Sequence, residues 1–134
     1  MFLFLKEVKA CNVLTCPDNQ QTKEYGLLKM KKVVVTGSAS GIGFYTASKL
    51  SESGYDVTGI DLVKNLALGK SITQVECDLL DSKHAESVFC SIGDFDIAVN
   101  CAGVSGQRKG LTEFSKQEFE QSFSAVFFPT FNAM

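Results

Sequence analysis

From Met30 onward the chain predicts an α/β fold, a parallel sheet with helices packed on it, on three observations. Short aliphatic runs alternate with segments of helical period. The stretches between successive runs are long enough for crossovers, so the strands run parallel and the crossovers are right-handed. The first run, Val33-Val34-Val35, is β-branched throughout and suits a strand buried on both faces. A length of 134 residues, 45% hydrophobic and 21% charged, fits one globular domain and excludes a disordered chain.

The elements follow in order. Residues 1–29 show neither the strand nor the helix period, and Cys16–Glu24 reads as a polar loop, so they are taken as an N-terminal extension outside the core. The domain is then 30–134. A strand at 32–36 gives way to a glycine turn and a helix over 41–53, which Gly54 closes. A second strand, Tyr55–Ile60, ends at Asp61, and an irregular or briefly helical stretch, 62–68, leads to a third at 72–76. Asp81 caps a helix reaching Ser91, with Ala85, Val88 and Phe89 on one face. The fourth strand, Asp96–Val99, ends at Asn100. Ser115-Lys116-Gln117-Glu118 is a capping box that opens the last helix. Pro129 lacks the N–H that would bond the Ala125 carbonyl and is expected to end or kink that helix.

Composition narrows the function. A formal charge of −2 gives no basic field for nucleic acid, and no apolar run nears the ~20 residues that cross a bilayer. The opening apolar run stops at Lys6 and Glu7, short of the ~7–15 residues of an export signal. The cysteines (Cys11, Cys16, Cys77, Cys90, Cys101) are odd in number and scattered, and His84 stands alone, so no metal site is expected. Reduced thiols point to the cytoplasm.

The chemistry concentrates in Thr36-Gly37-Ser38-Ala39-Ser40-Gly41-Ile42-Gly43, between a strand and a helix. Gly37 lets the chain turn sharply, Gly41 lets backbone approach a pyrophosphate, and Gly43 permits close helix–sheet packing. The helix N-terminus offers unpaired amides and a positive dipole end to phosphate. Asp61 follows Gly43 by roughly 20 residues, where a carboxylate accepts the adenosine ribose hydroxyls. It repels a 2′-phosphate, and no Arg or Lys stands at 38–40 to bind one, so NAD is preferred over NADP.

These residues, with Cys77-Asp78-Leu79 and Asn100-Cys101-Ala102-Gly103, resemble the short-chain dehydrogenase/reductase family over residues 30–134, the first half of a typical member. The resemblance implies a Rossmann-type doubly wound parallel sheet, truncated after four strands in the order 3-2-1-4. It implies that Gly37, Ser40, Gly41, Ile42 and Gly43 hold the pyrophosphate, Ile42 through its backbone N–H. Asp78 would accept from the adenine amino group with the Leu79 backbone beside it. Asn100, Ala102 and Gly103 would close the fourth strand against the cofactor ribose and the central sheet.

Catalysis in this family uses an Asn–Ser–Tyr–Lys set that moves hydride between nicotinamide and an alcohol or ketone. The serine strand and the Tyr-x-x-x-Lys helix belong beyond Met134. Tyr25 lies in the extension, Tyr55 starts a strand, and Tyr45-Thr46-Ala47-Ser48-Lys49 matches the motif in the wrong element. Val126 falls at the family's Asn position and Pro129 at its Gly position, with Asn132 too late in the helix. No catalytic residue is therefore assigned. The fourth strand, interior in the family, becomes an edge with unpaired backbone groups. Phe119, Phe123, Phe127 and Phe131 recur at helical spacing and either pack on the sheet or mark an exposed patch, since the corresponding family helix contributes to dimers.

The expected function is the cofactor-binding half of an NAD(P)-dependent oxidoreductase, inactive as this chain, with an alcohol or ketone substrate only at full length. A non-catalytic dinucleotide-binding or dimerising module is the alternative. An S-adenosylmethionine methyltransferase also uses a glycine turn and an acidic residue, but the 36–43 spacing and Asn100–Gly103 argue against it.

Overall fold

The computed structural model describes residues 2–4, 30–104 and 110–134. Five strands form one sheet: β1 (Phe2–Phe4), β2 (Lys32–Thr36), β3 (Asp56–Asp61), β4 (Thr73–Glu76) and β5 (Ile97–Asn100), in the order β1-β5-β2-β3-β4. The four strands from β2 onward are parallel and take the predicted 3-2-1-4 order. Three α-helices accompany them among the described residues: α1 (Gly41–Glu52) between β2 and β3, α2 (Ser82–Ile92) between β4 and β5, and α3 (Lys116–Asn132) after β5.

Alternation along β2 splits the core in two. Val33 and Val35 face one side, with Val57, Val99 and Ala47 of α1. Val34 faces the other, with Ile60, Phe95 and the α2 residues Ala85 and Val88. Burial on both faces makes β2 a continuous apolar run rather than an alternating one. Each of its valines contributes about 1.5–3 kcal/mol by leaving water. The helices begin where the sequence predicts. Asp81 accepts from the Lys83 and His84 amides, and Ser115 and Glu118 form the reciprocal capping box.

One expectation is corrected and one is narrowed. The edge of β5 is not bare: β1 pairs with it antiparallel, Phe2 opposite Asn100 and Phe4 opposite Ala98. Three residues carry too little periodicity to announce a strand, and only the partner edge makes them one. Pro129 does not end α3, which runs through it to Asn132. One missing hydrogen bond near the end of a 17-residue helix is a local loss. Pro129 is buried, and beyond it the Asn132 side chain anchors the last turn to the Leu79 carbonyl.

Candidate functional site

The site is built where β2 and β5 end side by side. Thr36, almost fully buried, places its Oγ1 to accept the Cys101 and Ala102 amides, each at 3.2 Å. Its hydroxyl also faces Asn100 Oδ1 at 3.4 Å. One threonine thus fixes the backbone that carries Ala102 and Gly103. Sequence reasoning quoted Thr36 as part of the turn but gave it no role. A hydroxyl closing an otherwise aliphatic buried strand was the available signal.

Gly37 turns the chain with φ 70°, and its amide donates to the Ile60 carbonyl at 2.8 Å. A Cβ there would lie 2.7 Å from the Ala102 nitrogen. Gly43 packs beneath it: a Cβ on Gly43 would press into the Gly37 carbonyl, 2.6 Å from its carbon. Gly41, with φ 53°, has open space on its outer side. Gly37 and Gly43 thus take the turn and packing roles expected of them.

The N-terminus of α1 is left without a side-chain cap. Ser40 occupies the cap position, yet its side chain makes no capping bond, and no acidic residue stands in the first turn. Asp81 and Ser115 satisfy the first turns of α2 and α3. First-turn amides of a helix have no intrahelical acceptor, so those of α1 are available to an anion.

Asp61 ends β3 beside this turn. Its Oδ2 accepts the Ala39 amide at 2.9 Å, while Asn65 Nδ2 donates to the Ala39 carbonyl at 2.7 Å. Asn65 is itself held, its amide donating to Gln74 Oε1 and its Oδ1 accepting from Ala67. The middle of the glycine turn is therefore gripped from both sides. Asn65 was not foreseen, because its role exists only through a fold that brings residues 39 and 65 together.

After β4 the chain crosses the end of the sheet. The Cys77 amide donates to the Asp61 carbonyl at 2.8 Å, and Asp78 Oδ1 accepts from Leu80 at 2.9 Å. Burial raises the Cys77 thiol above its ordinary range, with Asp78 and Asp81 adding to the effect. Burial likewise raises Cys101. Both thiols favour the neutral form, so they add no negative charge beside the free amides.

A cleft of about 370 Å³ lies between these pieces. Gly37, Ser40, Gly41, Ile42 and Gly43 form one wall; Asp61, Asp78 and Leu79 form the second; Ala102 and Gly103 form the third. Asn100 alone of the predicted residues does not line it, being turned toward Thr36. Ala125 and Pro129 of α3 also reach the cleft, whereas Val126 is exposed and does not. Among the described residues no group of His, Cys, Asp and Glu is placed to hold a metal ion. No helix among them is long and apolar enough to cross a membrane.

A doubly wound parallel sheet with a glycine-walled cleft at the carboxyl ends of its central strands is the architecture of Rossmann-type nucleotide-binding proteins. Within that class the chain belongs to the short chain dehydrogenase family, whose pattern it matches over residues 31–134. It is 37% identical over 92 residues to 1-deoxy-11-beta-hydroxypentalenate dehydrogenase of Streptomyces avermitilis, covering 59% of this chain and 34% of that one. It is 36% identical over 94 residues to D-xylose 1-dehydrogenase of Caulobacter vibrioides, covering 63% and 38%. The chain thus spans less than half the length of these curated relatives. Its fold matches a 3-ketoacyl-(acyl-carrier-protein) reductase from Brucella melitensis, solved with NADH, at a TM-score of 0.66 and 21% identity, over 77% of this chain and 47% of that one.

Proposed function

We propose that this chain is the cofactor-binding half of an NAD(P)-dependent oxidoreductase and that its cleft takes NAD in preference to NADP. The uncapped N-terminus of α1 opening on the cleft carries the reading. The amides around Ser40–Gly43 bind the anionic pyrophosphate, and the open side of Gly41 admits it closely. Asp61 keeps Oδ1 free among the described residues and accepts a ribose hydroxyl, while its charge opposes a 2′-phosphate. Asp78 and Leu79 receive the adenine, and Ala102 and Gly103 back the ribose on the far side; Asn100 supports this wall through Thr36. The bound nicotinamide supplies hydride transfer to or from an alcohol or ketone carbon.

This chain alone is not expected to turn over, since neither Tyr45 nor Tyr55 lines the cleft. The free thiols Cys77 and Cys101 support a reducing, cytoplasmic setting. A second reading, a dimerising module, is favoured by the outer face of α3, where Phe119, Phe123, Phe127 and Phe131 are all exposed. Along it the Phe127 ring stacks on those of Phe123 and Phe131.

Calorimetric titration of the 134-residue chain with NAD, NADP and S-adenosylmethionine tests the proposal. NAD binding tighter than NADP, with no heat from S-adenosylmethionine, is expected. Binding of S-adenosylmethionine alone overturns the dinucleotide reading, and robust NADH production with an alcohol overturns the inactivity.

A further inference from the structure

We propose that Asn132 is a positioning residue for the adenine end of the cleft, acting on Asp78 through the peptide that joins Leu79 to Leu80. The inference rests on the dinucleotide reading of the cleft. Asn132 stands in the last turn of α3, and its Nδ2 donates to the Leu79 carbonyl at 2.7 Å across 53 positions of sequence. In a trans peptide the carbonyl and the following N–H point in opposite directions. The N–H on the other side of this plane, that of Leu80, donates to Asp78 Oδ1 at 2.9 Å. The peptide group is therefore held at both ends, and rotation of its plane would break both bonds together.

The Asp78–Leu80 bond by itself is a local turn contact on an exposed loop, the weak kind that Asp side chains make two residues on. Asn132 ties it to a long helix. That helix is seated one turn earlier by buried Pro129, which also lines the cleft. The Leu79 side chain is buried among Ile60, Cys77 and Ala85, so the peptide sits on a fixed base. With Oδ1 committed to Leu80, Oδ2 of Asp78 is the acceptor left for a ligand amino group. Asn132 thus sets how the Asp78 carboxylate is turned toward the adenine without touching the ligand itself. The side chain that falls too late to serve as the family's relay asparagine has a separate task.

The test uses the full chain with Asn132→Leu, which removes the donor at similar volume. Asn132→Ser, which shortens the side chain out of reach, repeats the measurement should the leucine variant fold poorly. Calorimetry compares NAD with its hypoxanthine counterpart, in which an oxygen replaces the adenine amino group. The wild type is expected to prefer the adenine form about tenfold or more, the scale of a hydrogen bond to a charged group. Either variant should bring that ratio toward one while moving hypoxanthine-form affinity by less than about twofold. Without any ligand, the alkylation rate of Cys77 should rise several-fold over that of the wild type as the loop loosens. Equal loss for both dinucleotides, or an unchanged ratio, overturns the proposal, as does an unchanged Cys77 rate. Should the wild type bind neither dinucleotide, the reading of the cleft falls and the role toward adenine falls with it.

Discussion

Gly41 and Gly43 belong to one turn, yet alanine at each should fail for different reasons. At Gly43 the backbone is helical, so alanine gains about 1 kcal/mol of helix propensity. Against that stands a Cβ 2.6 Å from the Gly37 carbon and 3.3 Å from Cys101 Cβ. The Gly37 contact is with backbone, which no rotamer change can relieve. Overpacking commonly costs about 1–3 kcal/mol, and a rigid backbone clash belongs at or beyond the top of that range. The net loss for Gly43→Ala is about 2 kcal/mol or more. At Gly41 a Cβ meets nothing within 4 Å, and the cost is the left-handed φ of 53°, about 1–2 kcal/mol. Urea unfolding measures both. Gly43→Ala should lower the midpoint more than Gly41→Ala, while Gly41→Ala should stay folded and lose NAD affinity. A Gly43→Ala chain as stable as the wild type would refute the packing argument, because propensity would then have won.

Other outcomes follow from the same geometry. Asn65→Ala removes the two side-chain bonds to the Ala39 carbonyl and the Ala67 amide, and should cost about 1–2 kcal/mol in urea melts and narrow the NAD over NADP preference. Removing residues 1–29 uncovers the β5 edge, so the shortened chain should associate with rising concentration in sedimentation runs. Phe127→Lys breaks two ring stacks on an exposed face and should cost no more than about 1.5 kcal/mol while reducing any self-association. Cys77 and Cys101 are held neutral by burial, with folded values above the ordinary thiol value. Their contribution to stability is complete below that value and is lost as pH rises through the raised folded one. Alkaline melts of a Cys77→Ala, Cys101→Ala chain should therefore show a shallower decline than the wild type.

The parallel sheet was legible because its determinants are local. Val33–Val35, the glycine turn, Asp61, Asp81 and the Ser115–Glu118 box each combine residue type with short spacing. Most of the cleft followed, since Asp61, Asp78 and Ala102 come at strand ends that the topology gathers. What escaped depends on distant partners. Asn100 was legible as a strand-end residue, but its contact with the Thr36 hydroxyl was not. Asn65 and Asn132 gain their roles from Ala39 and Leu79. The Phe119–Phe131 spacing defines a helix face but carries no information on what covers it. Pro129 obeys its local rule in losing a hydrogen bond, and burial in the tertiary structure outweighs that loss.

The pairing of β1 with β5 joins the two described strands that lie farthest apart in sequence. Phe2–Phe4 leaves the ribosome long before Ile97–Asn100 exists, and translation at about 5–20 residues per second makes it wait roughly 5–20 seconds. The parallel pairs span fewer positions, β2 with β5 being the most distant of them, whereas the β1–β5 ladder closes the longest loop among the described strands and should form more slowly than they do. In the living cell Phe2–Phe4 therefore stays without its sheet partner until Asn100 has been made.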